Sequence, residues 1–317
     1  MKPEQHAPKS TIRRAKLWHP RYWPVFVAFA LIWPIAQLPA AMLDKLGRML
    51  GRAFFYVAKR RKAIINTNLS LCFPGLSEAA RTALVRENLL HTGMALTDGL
   101  QALWRIRPLR AARLDIQGAE QARAVLAQGK GVVFYSAHYL TMLLVARAIS
   151  QVLGRPVHQL VRPHNNLAIE FLIDYGRRRS CAKTIGKKQL PELLRSLRAG
   201  HPVAMVCDQN FNYRMAFIDF FGQPAATLTI VPKLVRSSGA ALLPIASWRT
   251  PDGILHIDIA EPLSNFPSLE ASQSSDVSDT ARLITLIETH VRQFPAQYLW
   301  AHRRFKTRPE GQSGVYF

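Results

Sequence analysis

The stretch Phe134–Ser150, FYSAHYLTMLLVARAIS, ends an apolar run in small polar residues, presents His138, and continues into a long greasy segment. A neutral imidazole can take a proton from an attacking hydroxyl, and a carboxylate ordinarily orients the ring and stabilises the imidazolium that forms. No Asp or Glu occurs between His138 and Glu170, so the local sequence supplies a base without its helper. A second kind of chemistry is anion binding, for which guanidinium groups offer bidentate donors. Arg162 qualifies first, and Arg303 and Arg304 with Lys306 and Arg308 form a second cluster. His164 belongs to no metal-ligand constellation, and Cys72, Cys181 and Cys207 have no C-x-x-C spacing, so no metal site and no disulfide framework is expected. There is no G-x-S-x-G elbow for a serine hydrolase.

These side chains need elements to hold them. From about residue 115, short apolar runs alternate with helical patterns: strands over Gly131–Ser136, Val157–Val161 and Val203–Cys207, with helices near 139–152, 166–179 and 189–199 between them. A helix near 228–238, a strand Ala241–Trp248, a hairpin partner Ile254–Ala260 and a helix near 279–293 follow, with Ser268–Asp279 read as loop or N-cap region. The alternation predicts an α/β fold with a mixed, largely parallel sheet flanked by helices. His138 then follows a strand at the carboxyl edge of the sheet, where open α/β proteins place ligand sites.

The chain has 317 residues and 49% hydrophobic content, enough for a real core. Forty-two Lys and Arg against twenty Asp and Glu give a formal charge of +22, which attracts anions without choosing among them. Nucleic acid is not favoured, because no zinc finger, helix-turn-helix or aromatic RNA-binding motif accompanies the charge. Residues 1–21 read as a basic N-terminal tail, 22–43 as a membrane-anchoring helix, 44–108 as a helical connecting region broken at Leu71–Gly75, and 109–317 as the α/β domain. Tyr22–Leu43 is twenty-two residues without a charge, long enough as one helix to reach across a hydrocarbon core, although Pro24, Pro34 and Pro39 interrupt it. It has basic flanks on both sides, which suit a kinked or interfacial helix at least as well as a full span.

Several ordered blocks carry a resemblance. They are His19–Pro24 before the greasy run, Asn68–Pro74, Val161–Asn166, Cys207–Asn210, Phe220–Thr227, Leu242–Pro244 and Tyr298–Pro309. On these blocks the chain resembles the late acyltransferases of lipid A biosynthesis, within the lysophospholipid acyltransferase superfamily, over nearly all its length. The resemblance implies transfer of a fatty acyl chain from acyl carrier protein to a hydroxyacyl chain of a Kdo-bearing lipid A precursor. It places the enzyme on membrane lipid at the cytoplasmic face of a bacterial inner membrane, with acyl carrier protein as co-substrate and no resident cofactor. The matching blocks offer Arg162, Asn165, Asp208, Gln209, Arg303 and Arg304 as substrate-binding residues. Phe217, Phe220 and Phe221 read either as lining for an acyl groove over a turn at Gly222 and Pro224 or, as is commoner for aromatics, as core. The run Arg177–Arg179 reads as basic surface or a dock for an acidic carrier.

The family pattern is a histidine followed after four residues by Asp or Glu. His138 fills the first position and Leu143 the second, which leaves the base without its expected carboxylate. Positions five apart on a regular helix differ by about 140°, so such a pair meets only if the histidine precedes the helix. Asp174, Asp208 and Asp98 are the candidate substitutes, with Asp208 favoured among them as the end of a strand on the same sheet edge, although capping or a salt bridge is the commoner task for such a residue. The alternatives are a disabled enzyme, a catalytically silent lipid-binding member, and an acyltransferase for another glycolipid.

Overall fold

A computed structural model describes residues 17–186 and 189–316. Most of the expected basic tail therefore lies outside the described residues. Four helices come first: α1 (Trp23–Ala36), α2 (Ala40–Val57), α3 (Lys59–Cys72) and α4 (Glu78–Trp104). The uncharged run Tyr22–Leu43 does not form one helix. It breaks at Gln37–Pro39, because Pro39 lacks the amide that would continue the ladder and Pro34 already interrupts it from within. The fourteen residues of α1 reach only about 21 Å, short of a hydrocarbon core of about 30 Å. Among the described residues no helix is long and apolar enough to cross a membrane.

Helices α2 and α4 cross at their glycines. A Cβ on Gly93 would lie 2.2 Å from the Gly47 carbonyl oxygen and 2.4 Å from the Gly51 amide nitrogen, both backbone atoms that cannot swing away. Gly93→Ala should therefore destabilise the chain by about 1–3 kcal/mol or more, read as an earlier urea or thermal midpoint; an unchanged midpoint would show that the helices can separate without cost.

The remaining elements build the sheet: β1 (Leu114–Gln117), α5 (Ala119–Ala127), β2 (Val132–Ser136), α6 (Met142–Leu153), β3 (His158–Val161), α7 (Leu167–Arg177), β4 (Thr184–Gly186), α8 (Leu190–Arg198), β5 (Pro202–Val206), β6 (Met215–Phe220), β7 (Gln223–Leu228), α9 (Ile230–Ser238), β8 (Ala241–Arg249), β9 (Leu255–Ile259) and α10 (Gln273–Gln293). Seven strands pair in the order β1-β9-β8-β2-β5-β3-β4. All neighbours are parallel except β8 and β9. The mixed, largely parallel α/β sheet expected from the alternation is thus present. Its interior strands carry near-continuous apolar runs, as strands covered on both faces must: Val132, Val133, Phe134 and Tyr135 of β2 are all buried.

Two differences from the expected elements have local causes. Helix α10 begins at Gln273, six residues ahead of the start expected near 279 and inside the stretch read as loop or N-cap region, because Ser272 caps it in a reciprocal capping box with Ser275. Strands β6 and β7 form a separate antiparallel hairpin whose two turn residues, Phe221 (φ 54°) and Gly222 (φ 72°), both adopt left-handed backbone. Pro224 lies in β7 and not in the turn. Phe220 and Phe221 do not line an open groove. They are buried in an aromatic cluster with Phe73, Tyr298, Trp300 and Phe305, while Phe217 faces outward.

Candidate active site

Strand pairing places His138 beside a carboxylate. In the central sheet Ser136 of β2 is the register partner of Val206 of β5. Two residues beyond each lie His138 and Asp208, at the carboxyl edge of adjacent strands, whose spacing is about 4.8 Å. The carboxylate uses both oxygens on the histidine: Nδ1 is 2.6 Å from Asp208 Oδ1, and the His138 backbone N–H donates to Oδ2 at 3.0 Å. The Tyr298 side chain lies beside the same carboxylate and helps to hold it ionised. Burial pushes the Asp208 carboxyl up, but the neighbouring His138 charge and these hydrogen bonds outweigh it and hold the group below the usual carboxylate range. An ionised Asp208 accepts from Nδ1–H, so in the neutral tautomer of the ring Nε2 is the nitrogen that can take a proton.

Neither of the other candidate acids reaches the ring. Asp174 pairs with Arg178 on its own helix, and Asp98 is bound to Arg249. Leu143 lies on the first turn of α6, which starts four residues after His138, and lines a cavity that His138 also lines.

The segment after α10 fixes the loop that carries His138. Leu140 N–H donates to the Gln297 carbonyl and Leu299 N–H to the His138 carbonyl, while Tyr139 and Tyr298 form an antiparallel bridge. Two buried asparagines hold that segment in turn. Asn88 donates to the carbonyls of Ala296 and Tyr298, and Asn68 to those of Trp300 and His302. Downstream, Asn210 and Thr307 exchange two hydrogen bonds, which pins the loop after Asp208. The residues quoted above from the Asn68 and Tyr298 blocks thus brace the His138–Asp208 pair from behind.

Arg304 differs from its expected role at a substrate headgroup. It is 2% exposed, and its guanidinium donates to the carbonyls of Gln209 and Ala226 and to Thr227 Oγ1, so it clamps the loop after Asp208 to β7. A guanidinium meeting three oxygens inside the fold has few donors left for an anion. Asp208, expected among the substrate-binding residues, is 1% exposed and turned to the histidine. Arg303 lies over the Tyr316 ring, and Asn165 is exposed; neither lines the cavities at His138. Of the run Arg177–Arg179, Arg177 turns inward to the cavity wall, 3.8 Å from Glu170, while Arg178 and Arg179 stay exposed.

Arg162 and Gln209 do reach the site. Two cavities meet at His138 and Arg162. One, of about 310 Å³, is mixed in character, with Gln209, Asn210, Tyr213, Arg214 and His302 on its walls. The other, of about 250 Å³, is mostly apolar and runs under α6 past Leu143, Val145 and Ile149 to Val157. Such a volume is that of several waters, yet its floor offers few polar partners, the setting of an organic chain and not of solvent. Cys207 lines the mixed cavity, but burial and the adjacent Asp208 push its thiol up to about 12, which removes it as a nucleophile.

Two residues of the site were not singled out from sequence. Tyr298 lies beside the carboxylate, and His302 shares the mixed cavity with His138. Burial and the nearby His138 charge push His302 down to about 4, so it faces His138 as a neutral imidazole. Both lie about 160 residues from His138, and no local spacing signals them.

The sequence model described as Bacterial lipid A biosynthesis acyltransferase matches residues 10–307. The chain is 35% identical over 304 residues to the lipid A biosynthesis lauroyltransferase of Escherichia coli K12, covering 95% of this chain and 97% of that one. It is 33% identical over 301 residues to the lipid A biosynthesis palmitoleoyltransferase of the same organism, covering 94% and 96%. A third relative there, a lipid A biosynthesis myristoyltransferase, is 28% identical over 307 residues, covering 94% and 91%. With the family's sequence pattern matched from the N-terminal helices to the segment that braces His138, this chain belongs to the bacterial lipid A biosynthesis acyltransferases.

Proposed function

We propose that this acyltransferase moves a fatty acyl chain from acyl carrier protein to a hydroxyl on an acyl chain of a Kdo-bearing lipid A precursor, with His138 as general base and Asp208 as its orienting carboxylate. The observation that carries the reading is the 2.6 Å contact between His138 Nδ1 and Asp208 Oδ1 at the junction of a mixed and an apolar cavity. The acceptor hydroxyl gives its proton to Nε2 as its oxygen attacks the thioester carbonyl. The new C–O bond forms, the C–S bond breaks, and the proton passes from the imidazolium to the leaving thiolate. Asp208 holds the ring in the required tautomer and stabilises its positive form. Arg162, where the cavities meet, is placed to bind an anionic group of donor or acceptor. Leu143 is then no sign of a disabled enzyme, since its expected partner is already oriented.

Membrane contact through the first helices completes the reading. Trp18, Trp23, Val27 and Leu31 are 79%, 58%, 60% and 71% exposed, so α1 and the turn before it present an aromatic and aliphatic stripe, with the exposed Arg178 beside it. That stripe suits a helix lying in the bilayer interface and not crossing it. The net charge of +22 suits an acidic carrier and an anionic lipid alike.

The test is acyl transfer from an acylated carrier protein to a Kdo-lipid A precursor, read by the mass of the product. The chain with leucine at position 143 should turn over, and His138→Ala should lose at least about a hundredfold in rate. Transfer that survives His138→Ala unchanged would overturn the base assignment; absence of transfer by the parent would favour a silent lipid-binding member.

A further inference from the structure

We infer that Leu143 is an acyl-binding residue, walling the mouth of the apolar cavity where the first carbons of the donor chain lie beside the thioester carbonyl. The inference rests on the acyl-transfer reading above and deepens it. The position that the family pattern gives to a carboxylate serves hydrocarbon in this chain.

Depth along the cavity follows from the helix that walls it. Helix α6 starts at Met142, beside the strand end that presents His138, and it connects two parallel strands of one sheet, so it runs back along them. Met142 and Leu143 therefore lie at the His138 end, Val145 and Ala146 a turn deeper, and Ile149 roughly 10 Å down. Val157, just ahead of β3, closes the far end. A reacting carbonyl must sit about 3–3.5 Å from the hydroxyl that His138 deprotonates. The chain beyond that carbonyl then enters past position 143 before reaching the floor.

The character of the wall agrees. Met142, Leu143, Val145, Ala146 and Ile149 form one apolar face of α6, and no carboxylate lines this cavity. Leu143 is 39% exposed, as a residue at a mouth should be, and α4 makes room for it: its Cδ1 lies 3.3 Å from where a Cβ on Gly99 would stand. A glutamate at 143 would bring a charge to that lip, where the ring it would orient is already held through Nδ1 by Asp208.

Steady-state kinetics on the full chain, with acylated carrier protein varied at saturating lipid A precursor, separate the possibilities. Leu143→Glu is expected to raise KM for the acyl donor roughly tenfold or more, the scale of a lost apolar contact to substrate, with kcat changed by less than KM. Leu143→Ala should raise KM by a smaller factor. Both losses should be of similar size for a short and a long acyl donor, because Leu143 meets carbons that both possess. Ile149→Ala should instead affect only the long donor. A Leu143→Glu enzyme with kcat raised and KM unchanged would overturn the inference and return the position to a catalytic carboxylate. So would parent-like KM in Leu143→Ala, or a loss confined to the long donor. These failures leave transfer by the parent and its loss in His138→Ala intact; failure of the underlying reading shows as no transfer by the parent.

Discussion

Asp208→Asn is expected to lower kcat for acyl transfer by about three to four orders of magnitude, with KM for either substrate little changed. The carboxylate accepts from the ring Nδ1–H through one oxygen and from the His138 backbone N–H through the other. An asparagine has a single acceptor oxygen, and its amide is a donor, so one of the two contacts becomes donor against donor or the ring turns to its other tautomer. In the second case Nε2 carries the proton and cannot accept one from the acceptor hydroxyl. The fold should survive, at a cost of about 1–3 kcal/mol for the buried group left unsatisfied. The loss should not recover at any pH at which the parent works. Asp208 in the parent is held below the usual carboxylate range, so it stays ionised through the neutral region. Its contribution to stability is present above the ordinary carboxylate pKa of about 3.9 and disappears only as pH falls through its lower folded value. A variant retaining most of kcat would mean that another group orients His138, and the Tyr298 hydroxyl would be the first to examine.

The fold class and the position of His138 could be read from sequence because their signals are local. Apolar strands alternating with amphipathic helices fixed β2, β3, β5, β8 and the helices between them, and the strand before His138 put that residue at the sheet edge. The partner could be read only as the favoured of three candidate acids, because Asp208 ends a strand at the same sheet edge, whereas its proximity to position 138 is created by strand register and not by chain spacing. A family pattern searched along the chain directs attention to position 143, on the neighbouring helix, where this chain has a leucine. Arg304 shows the converse case. In sequence it is one of four cations in a run, and only the packing shows that its two terminal nitrogens donate to the carbonyls of Gln209 and Ala226 and the hydroxyl of Thr227, while Lys306 stays exposed. The prolines of the membrane segment announced an interruption, but an uncharged run does not reveal that the helix ends at Gln37–Pro39 within it.

The second large effect is on stability. Asp98→Ala should destabilise the protein by about 3–5 kcal/mol, because it strips a buried cation of its main partner. Arg249 of β8 is 7% exposed and places Nη2 at 2.8 and 2.7 Å from the two oxygens of Asp98 on α4; its Nη1 reaches Asp44 of α2 only at 3.4 Å. Arg113 also binds Asp44, so the network ties the N-terminal helices to the sheet. Removing Asp98 leaves the Arg249 charge with one distant partner in a place water does not reach. The melting temperature should drop on the order of 10 °C. Burial raises the Asp98 carboxyl to about 6 in spite of Arg249. The double variant Asp98→Leu with Arg249→Met removes both charges at once and should recover most of the loss, because a buried pair is costly to break and much less costly to replace by hydrocarbon. If the double variant is as unstable as Asp98→Ala, the contribution lies in the geometry of the hydrogen bonds between α4 and β8 and not in the unpaired charge.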